Sequence, residues 1–323
     1  MPDIYRNAFL NRFSDRTGLE RSTFLGMYAP QIVRELLKDE NLLLPKLTWL
    51  LGLPGSGKTS FLRLLCIDIV SEVFKQKKTD DEVFKVLKES GIVDNNNKII
   101  YIGIYIPIDD IYSEAENITL DSKYKDQLFY TIFNLRVAKQ LIKALKTVYD
   151  QNDSIEIQKI PPDRIPPAIF SETLDADLFL KKVQTQEELI SKLLNSFPGS
   201  PISAELEFHI RFASFDLLNA QKEYHNINFI LMIDDAHELY DGQLKKLSDA
   251  LSKREWFFPR WIALRKHIFP LETLLEPYRI TTDQRESSVI DIDKDILKNN
   301  EAKLFKPFIE RIYRVIWGIM VKY

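Results

Sequence analysis

The chain is nearly without cysteine. Its one thiol, Cys66, excludes an intrachain disulfide framework, and its four histidines, His209, His225, His237 and His267, follow no metal-ligand spacing. No run approaches the ~20 apolar residues that cross a bilayer. The N-terminus carries Asp3 and Arg6 and no apolar signal segment. The expectation is therefore a cytoplasmic protein without membrane contact. Charge of one sign is also lacking: 44 basic and 47 acidic residues leave a net −3, which gives no global pull towards nucleic acid or anionic membrane. Sequence repeats and low-complexity segments are absent. What is present is an ordinary globular composition, 45% hydrophobic and 28% charged over 323 residues, enough for one large or two modest domains.

One stretch organises the rest. Gly52-Leu53-Pro54-Gly55-Ser56-Gly57-Lys58-Thr59 has the form G-x-x-x-x-G-K-[ST] of a phosphate-binding loop. An apolar run, 47–51, reads as a buried strand before it, and Ser60 to Phe74 reads as a helix after it. The glycines let the backbone wrap closely round a triphosphate. Gly52, Pro54, Gly55, Ser56, Gly57, Lys58, Thr59 and Ser60 are the contact set, and the N–H groups of the loop and of the helix start, of which Pro54 has none, present positive partial charge to the phosphates. Lys58 reaches the β- and γ-phosphates and the Thr59 hydroxyl ligates Mg²⁺. ATP and Mg²⁺ are the expected ligands.

In chain order, residues 1–28 read as an aromatic-bearing arm, and Ala29 to Lys38 as a helix with Pro30 in its first turn. A capping box of Thr79 and Glu82 opens a short helix that ends at Gly91. The run 99–106 reads as a strand closed by Pro107, and Asp121 to Tyr149 as a long helix. Residues 150–170, with Pro161-Pro162 and Pro166-Pro167, read as a loop or insertion. Two helices are expected near 171–183 and 185–196, the second with its own capping box, Thr185 and Glu188. Another helix is expected over 203–224.

The second half of the site follows. Phe229-Ile230-Leu231-Met232-Ile233 ends in Asp234-Asp235, an apolar strand closing on two carboxylates. In doubly wound α/β folds such a strand end lies beside the phosphate loop. Asp234 is expected to hold Mg²⁺ and Asp235 to orient or deprotonate the attacking water. A helix over 242–253, a strand over 260–265, a strand over 288–292 and an amphipathic helix from Glu301 to the end complete the reading.

With LGLPGSGKTS at 51–60, FILMIDDAHEL at 229–239, WIALR at 261–265 and SSVIDID at 287–293, the chain resembles AAA+ P-loop ATPases of the origin-recognition and cell-division-control type, bacterial ones included. The resemblance implies a three-layer α/β P-loop NTPase fold, with a parallel sheet in the order 5-1-4-3-2 and the nucleotide at the strand ends. It divides the chain into an N-terminal arm and helix over 1–46, an ATPase core over 47–293 with a helical insertion at about 150–225, and a C-terminal helix over 294–323, which stops as the start of a missing lid or further domain would. It also implies a polar sensor near the end of the fourth strand, where Arg265 stands. Arg265 admits two readings, a γ-phosphate contact or a surface arginine capping a strand. Three departures stand out: the usual second Walker B acid is Glu and here is Asp235, which predicts slow hydrolysis; a full helical lid does not fit in the remaining residues; and Arg254, Arg279 and Arg285 are candidates only for an arginine finger acting in trans.

Three functions compete. The first is an ATP-binding, ATP-hydrolysing switch that controls self-assembly or a partner protein. The second is a nucleotide-gated scaffold with little turnover. The third is a helicase, suggested by the DEAH-like Asp234-Asp235-Ala236-His237 and opposed by the short chain and the lack of a late arginine-rich motif. No N-K-x-D motif supports a GTPase and no L-S-G-G-Q an ABC ATPase. Nucleic acid as a partner, and a role in defence against phage or mobile DNA, come with the resemblance; the Lys75-Gln76-Lys77-Lys78 cluster reads as a solvated helix end.

Overall fold

The computed structural model describes residues 30–37, 40–76, 81–149, 154–266 and 287–294. The arm over 1–28, the helix from 301, Thr79 of the first capping box, Lys77 and Lys78, and Arg279 and Arg285 lie outside the described residues.

Five strands form the main sheet: β1 (Leu47–Gly52), β2 (Tyr101–Pro107), β5 (Asn228–Asp234), β6 (Arg260–Arg265) and β7 (Ser287–Asp291). A separate antiparallel pair, β3 (Glu156–Ile157) and β4 (Leu174–Asp175), intervenes in the chain. The main sheet runs β2-β5-β6-β1-β7 and is parallel throughout. When the two short strands are left out of the count, its own five strands stand in the order 5-1-4-3-2.

Side-chain alternation along these strands feeds two cores. Leu47, Trp49 and Leu51 of β1 and Phe229, Leu231 and Ile233 of β5 join one of them. Leu50, Ile230 and Met232 join the other. Both faces are buried along β1, β5 and β6, so these strands read as near-continuous apolar runs. On the second core lie α1 (Pro30–Leu37), α2 (Lys58–Leu64), α3 (Ile67–Gln76) and α4 (Asp81–Glu89). On the first lie α5 (Asp110–Asn117), α6 (Ser122–Val148), α7 (Ala176–Leu194), α8 (Ser214–His225) and α9 (Asp241–Leu251). The result is three layers, helices on a sheet on helices.

Three elements depart from expectation. The single helix expected over 60–74 is two helices. The chain breaks at Leu65-Cys66, where Cys66 makes an isolated parallel bridge to Gly103 and the Gly103 N–H donates to the Leu65 carbonyl at 3.0 Å. Gly103 permits this approach, because a Cβ there would sit 2.7 Å from that carbonyl oxygen and 2.3 Å from Met232 Cε. Conversely, the two helices expected over 171–196 are one. Thr185 donates to the Lys181 carbonyl from inside α7 and opens no new helix. Phe179, Val183, Ile190 and Leu193 keep one buried stripe along its length.

The helix expected over 203–224 begins only at Ser214. Before it the backbone is bonded by side chains of α6: the His209 N–H donates to Thr131 Oγ1 at 2.8 Å, Asn134 Nδ2 donates to the Arg211 carbonyl at 2.8 Å, and the Ser214 N–H donates to Asn134 Oδ1 at 3.0 Å. These partners replace helical hydrogen bonds, which satisfies a buried segment without a helix.

Candidate active site

The site lies at the C-terminal ends of the strands. The register sets Gly52 of β1 opposite Arg265 of β6, and Pro107 of β2 opposite Asp234 of β5. Between β1 and α2 the chain makes the glycine-rich loop. Gly55 and Gly57 have φ of 83° and 88°, a left-handed conformation that a Cβ would strain. At Gly52 the constraint is space, since a Cβ would lie 2.3 Å from Ser56 Oγ. Pro54 and Gly55 are exposed, Ser56 is buried, and Thr59 and Ser60 are half-buried on the first turn of α2.

Lys58 is buried under this loop. Its ammonium donates to the Gly52 carbonyl at 2.7 Å, the Leu53 carbonyl at 3.1 Å and Ser56 Oγ at 3.2 Å. Burial pushes its pKa down, Asp234, Asp293 and Asp235 pull it back up, and Arg265 opposes them. Those four charges therefore share the site with the lysine. Asp234 is 1% exposed. Its carboxylate accepts from the Tyr105 hydroxyl at 3.0 Å and from the Asp235 N–H at 2.9 Å, and it is hydrogen-bonded to Thr59. Burial raises its pKa, with the neighbouring Asp235 charge adding to the rise and the Thr59 and Tyr105 hydrogen bonds opposing it.

Two hard oxygen donors, the Thr59 hydroxyl and the Asp234 carboxylate, thus meet beside the phosphate loop. That donor set fits Mg²⁺, which takes one or two protein oxygens and completes its octahedron with water and phosphate. Among the described residues no group of three or more His, Cys, Asp or Glu is gathered as a metal site.

Asp235 takes φ 52°, a left-handed conformation that Asp tolerates better than most residues. A short 3-10 turn, Ala236–Glu238, follows. Arg265 ends β6, and its guanidinium lies 4.0 Å from Glu238 Oε1. Every motif residue expected from the sequence, from Gly52 to Ser60, with Asp234, Asp235 and Arg265, is gathered at this one end of the sheet. Arg254 is exposed before the start of β6, at the opposite end.

Sequence reasoning missed Tyr105, His237, Glu238 and Asp293. The Asp293 carboxylate accepts the Leu53 N–H at 2.7 Å, tying the chain after β7 to the first turn of the loop. The signal for Tyr105 was a polar tip close to the end of an otherwise apolar strand. It was readable only once β2 was paired with β5.

A family model described as ORC-CDC6-like matches residues 31–315. No curated protein matches the chain. Among the described residues no helix is long and apolar enough to cross a membrane.

Proposed function

The chain belongs to the ORC-CDC6-like family, and from that premise we propose that it is an ATP-binding and ATP-hydrolysing AAA+ switch, whose nucleotide state controls assembly with further copies or with a partner protein. The observation that carries this reading is the convergence of buried Lys58 and Asp234, 176 residues apart (234 − 58), with half-buried Thr59 into one cluster. Nothing in the core packing alone calls for a lysine and an aspartate buried at one spot, since buried charge is costly unless it is paired or has work to do.

In this reading the loop amides from Gly55 to Ser60 and the Lys58 ammonium bind the phosphates. Lys58 now spends its donors on two carbonyls and Ser56, so it arrives already aimed at the loop and exchanges those partners for phosphate oxygens. Thr59 and Asp234 hold Mg²⁺, with Tyr105 fixing the second carboxylate oxygen. Held by these two oxygens, Mg²⁺ would supply charge neutralisation to the phosphates. Asp235 orients the attacking water, and Arg265 senses the γ-phosphate. A role in DNA-linked processes is part of this proposal and is supported by the family membership alone.

A second reading, a nucleotide-gated scaffold with little turnover, is favoured by one residue: Asp235 stands where the usual acid is one methylene longer. One pair of variants tests the site, and phosphate release by the unmodified protein separates the readings. Lys58→Ala is expected to abolish ATP binding, while Asp235→Asn keeps binding and loses phosphate release. Unchanged binding and hydrolysis in both variants would refute the site, and binding without phosphate release in the unmodified protein selects the scaffold.

A further inference from the structure

Two side chains beside the site have no part in the reading above. His237 is 2% exposed at its side chain, and among the described residues neither ring nitrogen finds an aligned hydrogen bond. Yet Nε2 lies 3.1 Å from Glu238 Oε1 and Nδ1 lies 3.8 Å from Asp235 Oδ1. A buried polar group left in this way calls for an explanation. Glu238 is half exposed, and the same Oε1 that faces His237 is the atom 4.0 Å from Arg265. One carboxylate oxygen is thus shared between a buried imidazole and the arginine at the end of β6.

We propose that Glu238 is a positioning residue: it holds Arg265 off the phosphate position while no nucleotide is bound, and keeps His237 alone as its partner once a γ-phosphate draws Arg265 away. This rests on the nucleotide reading of the site. Lys58 and Arg265 repel one another here, so without phosphate each cation needs its own anion. Asp234, Asp235 and Asp293 serve Lys58, and Glu238 serves Arg265. The Arg265–Glu238 pair is long and partly exposed, which makes it weak. A phosphate offers the guanidinium charge-assisted, bidentate hydrogen bonds, so it wins the exchange. Glu238 is not then stranded, because the His237 ring already stands at hydrogen-bonding distance. The arrangement makes the protein read the third phosphate specifically, since ADP offers nothing to take Arg265 from Glu238.

The test is a double-mutant cycle of Glu238→Gln and Arg265→Ala, with Mg²⁺-ATP and Mg²⁺-ADP affinities measured by displacement of a fluorescent nucleotide. Glu238→Gln is expected to tighten ATP about two- to fivefold, the scale of a partly exposed pair, and to leave ADP unchanged. In the Arg265→Ala background the same substitution is expected to change neither. Equal shifts for ATP and ADP, no shift at all, or a shift that persists in the Arg265→Ala background overturns the proposal. An unmodified protein that binds neither nucleotide overturns the underlying function as well; normal binding without the Glu238 effect overturns this inference alone.

Discussion

Acid should weaken the fold through one imidazole, His209. It is 1% exposed, in the core between α6 and the segment before α8. Its Nδ1 lies 2.9 Å from Asn134 Nδ2. That amide also donates to the Arg211 carbonyl, while its oxygen accepts from the Ser214 N–H. The amide is therefore fixed with its nitrogen towards the ring, and Nδ1 has to accept. A protonated ring cannot do so, and among the described residues Nε2 has no partner to share a charge. Burial accordingly lowers the His209 pKa from 6.5 to about 3. In the unfolded chain the ring keeps its ordinary value near ~6.5. Between those two values the unfolded state binds one more proton than the folded state, so stability falls as pH falls, by about 1.4 kcal/mol per unit. The contribution is intact above the unfolded value, and about 2 kcal/mol of it is gone by pH ~5. Set against a typical domain stability of roughly 5–15 kcal/mol, that is a large fraction. Urea denaturation across this range, for the natural chain and for His209→Gln, isolates the effect, because His225 and His237 titrate in both. The variant is expected to be less stable near neutrality, yet to lose less on acidification, its slope shallower by about 1.4 kcal/mol per pH unit. Should it be too unstable to measure, the ring resonances of the natural protein report the same proton, with His209 staying neutral down to pH ~5. Parallel stability curves, or a ring that titrates near its ordinary value, would refute the argument.

Two more outcomes follow from single contacts. Gly103→Ala puts a methyl group against the Leu65 carbonyl and Met232; it should lower stability by about 1–3 kcal/mol, as overpacking does, and an unchanged denaturation midpoint counts against the tight approach of α2 to β2. Tyr105→Phe removes the phenol that donates to Asp234. The Mg²⁺ concentration needed for tight ATP binding should rise about tenfold, the lower range for losing an outer-sphere partner, while metal-free ATP binding stays the same; an unaltered Mg²⁺ requirement removes Tyr105 from the site.

The phosphate loop and the paired aspartates were legible because their chemistry is written in short, contiguous strings. Four of the five sheet strands were legible because strands packed on both faces leave long apolar runs, the fifth, β7, was read from the short Val289-Ile290 stretch, and the expected bounds of all five fall within one or two residues of those observed. What escaped was set by distant partners. Thr185 and Glu188 match a local capping pattern, but the apolar stripe of α7 runs straight through them. The segment from 203 to 213 carries helix-compatible residues, yet Thr131 and Asn134, about 75 residues earlier, take its backbone groups. Tyr105 and Glu238 join the site through strand register and a short turn, and neither can be read from a local window.

The break after α2 fixes how far a push at the phosphates can travel as a rigid rod. Seven residues at about 1.5 Å each make an arm of roughly 10 Å, and its far end is pinned by the Leu65 carbonyl to the outermost strand of the sheet. On the proposed nucleotide reading, a shift of the loop would pass along this arm to β2, the strand that carries Tyr105 back to Asp234. If ATP binds at the loop, its arrival and the Tyr105 grip on Asp234 would be coupled through an arm two turns long.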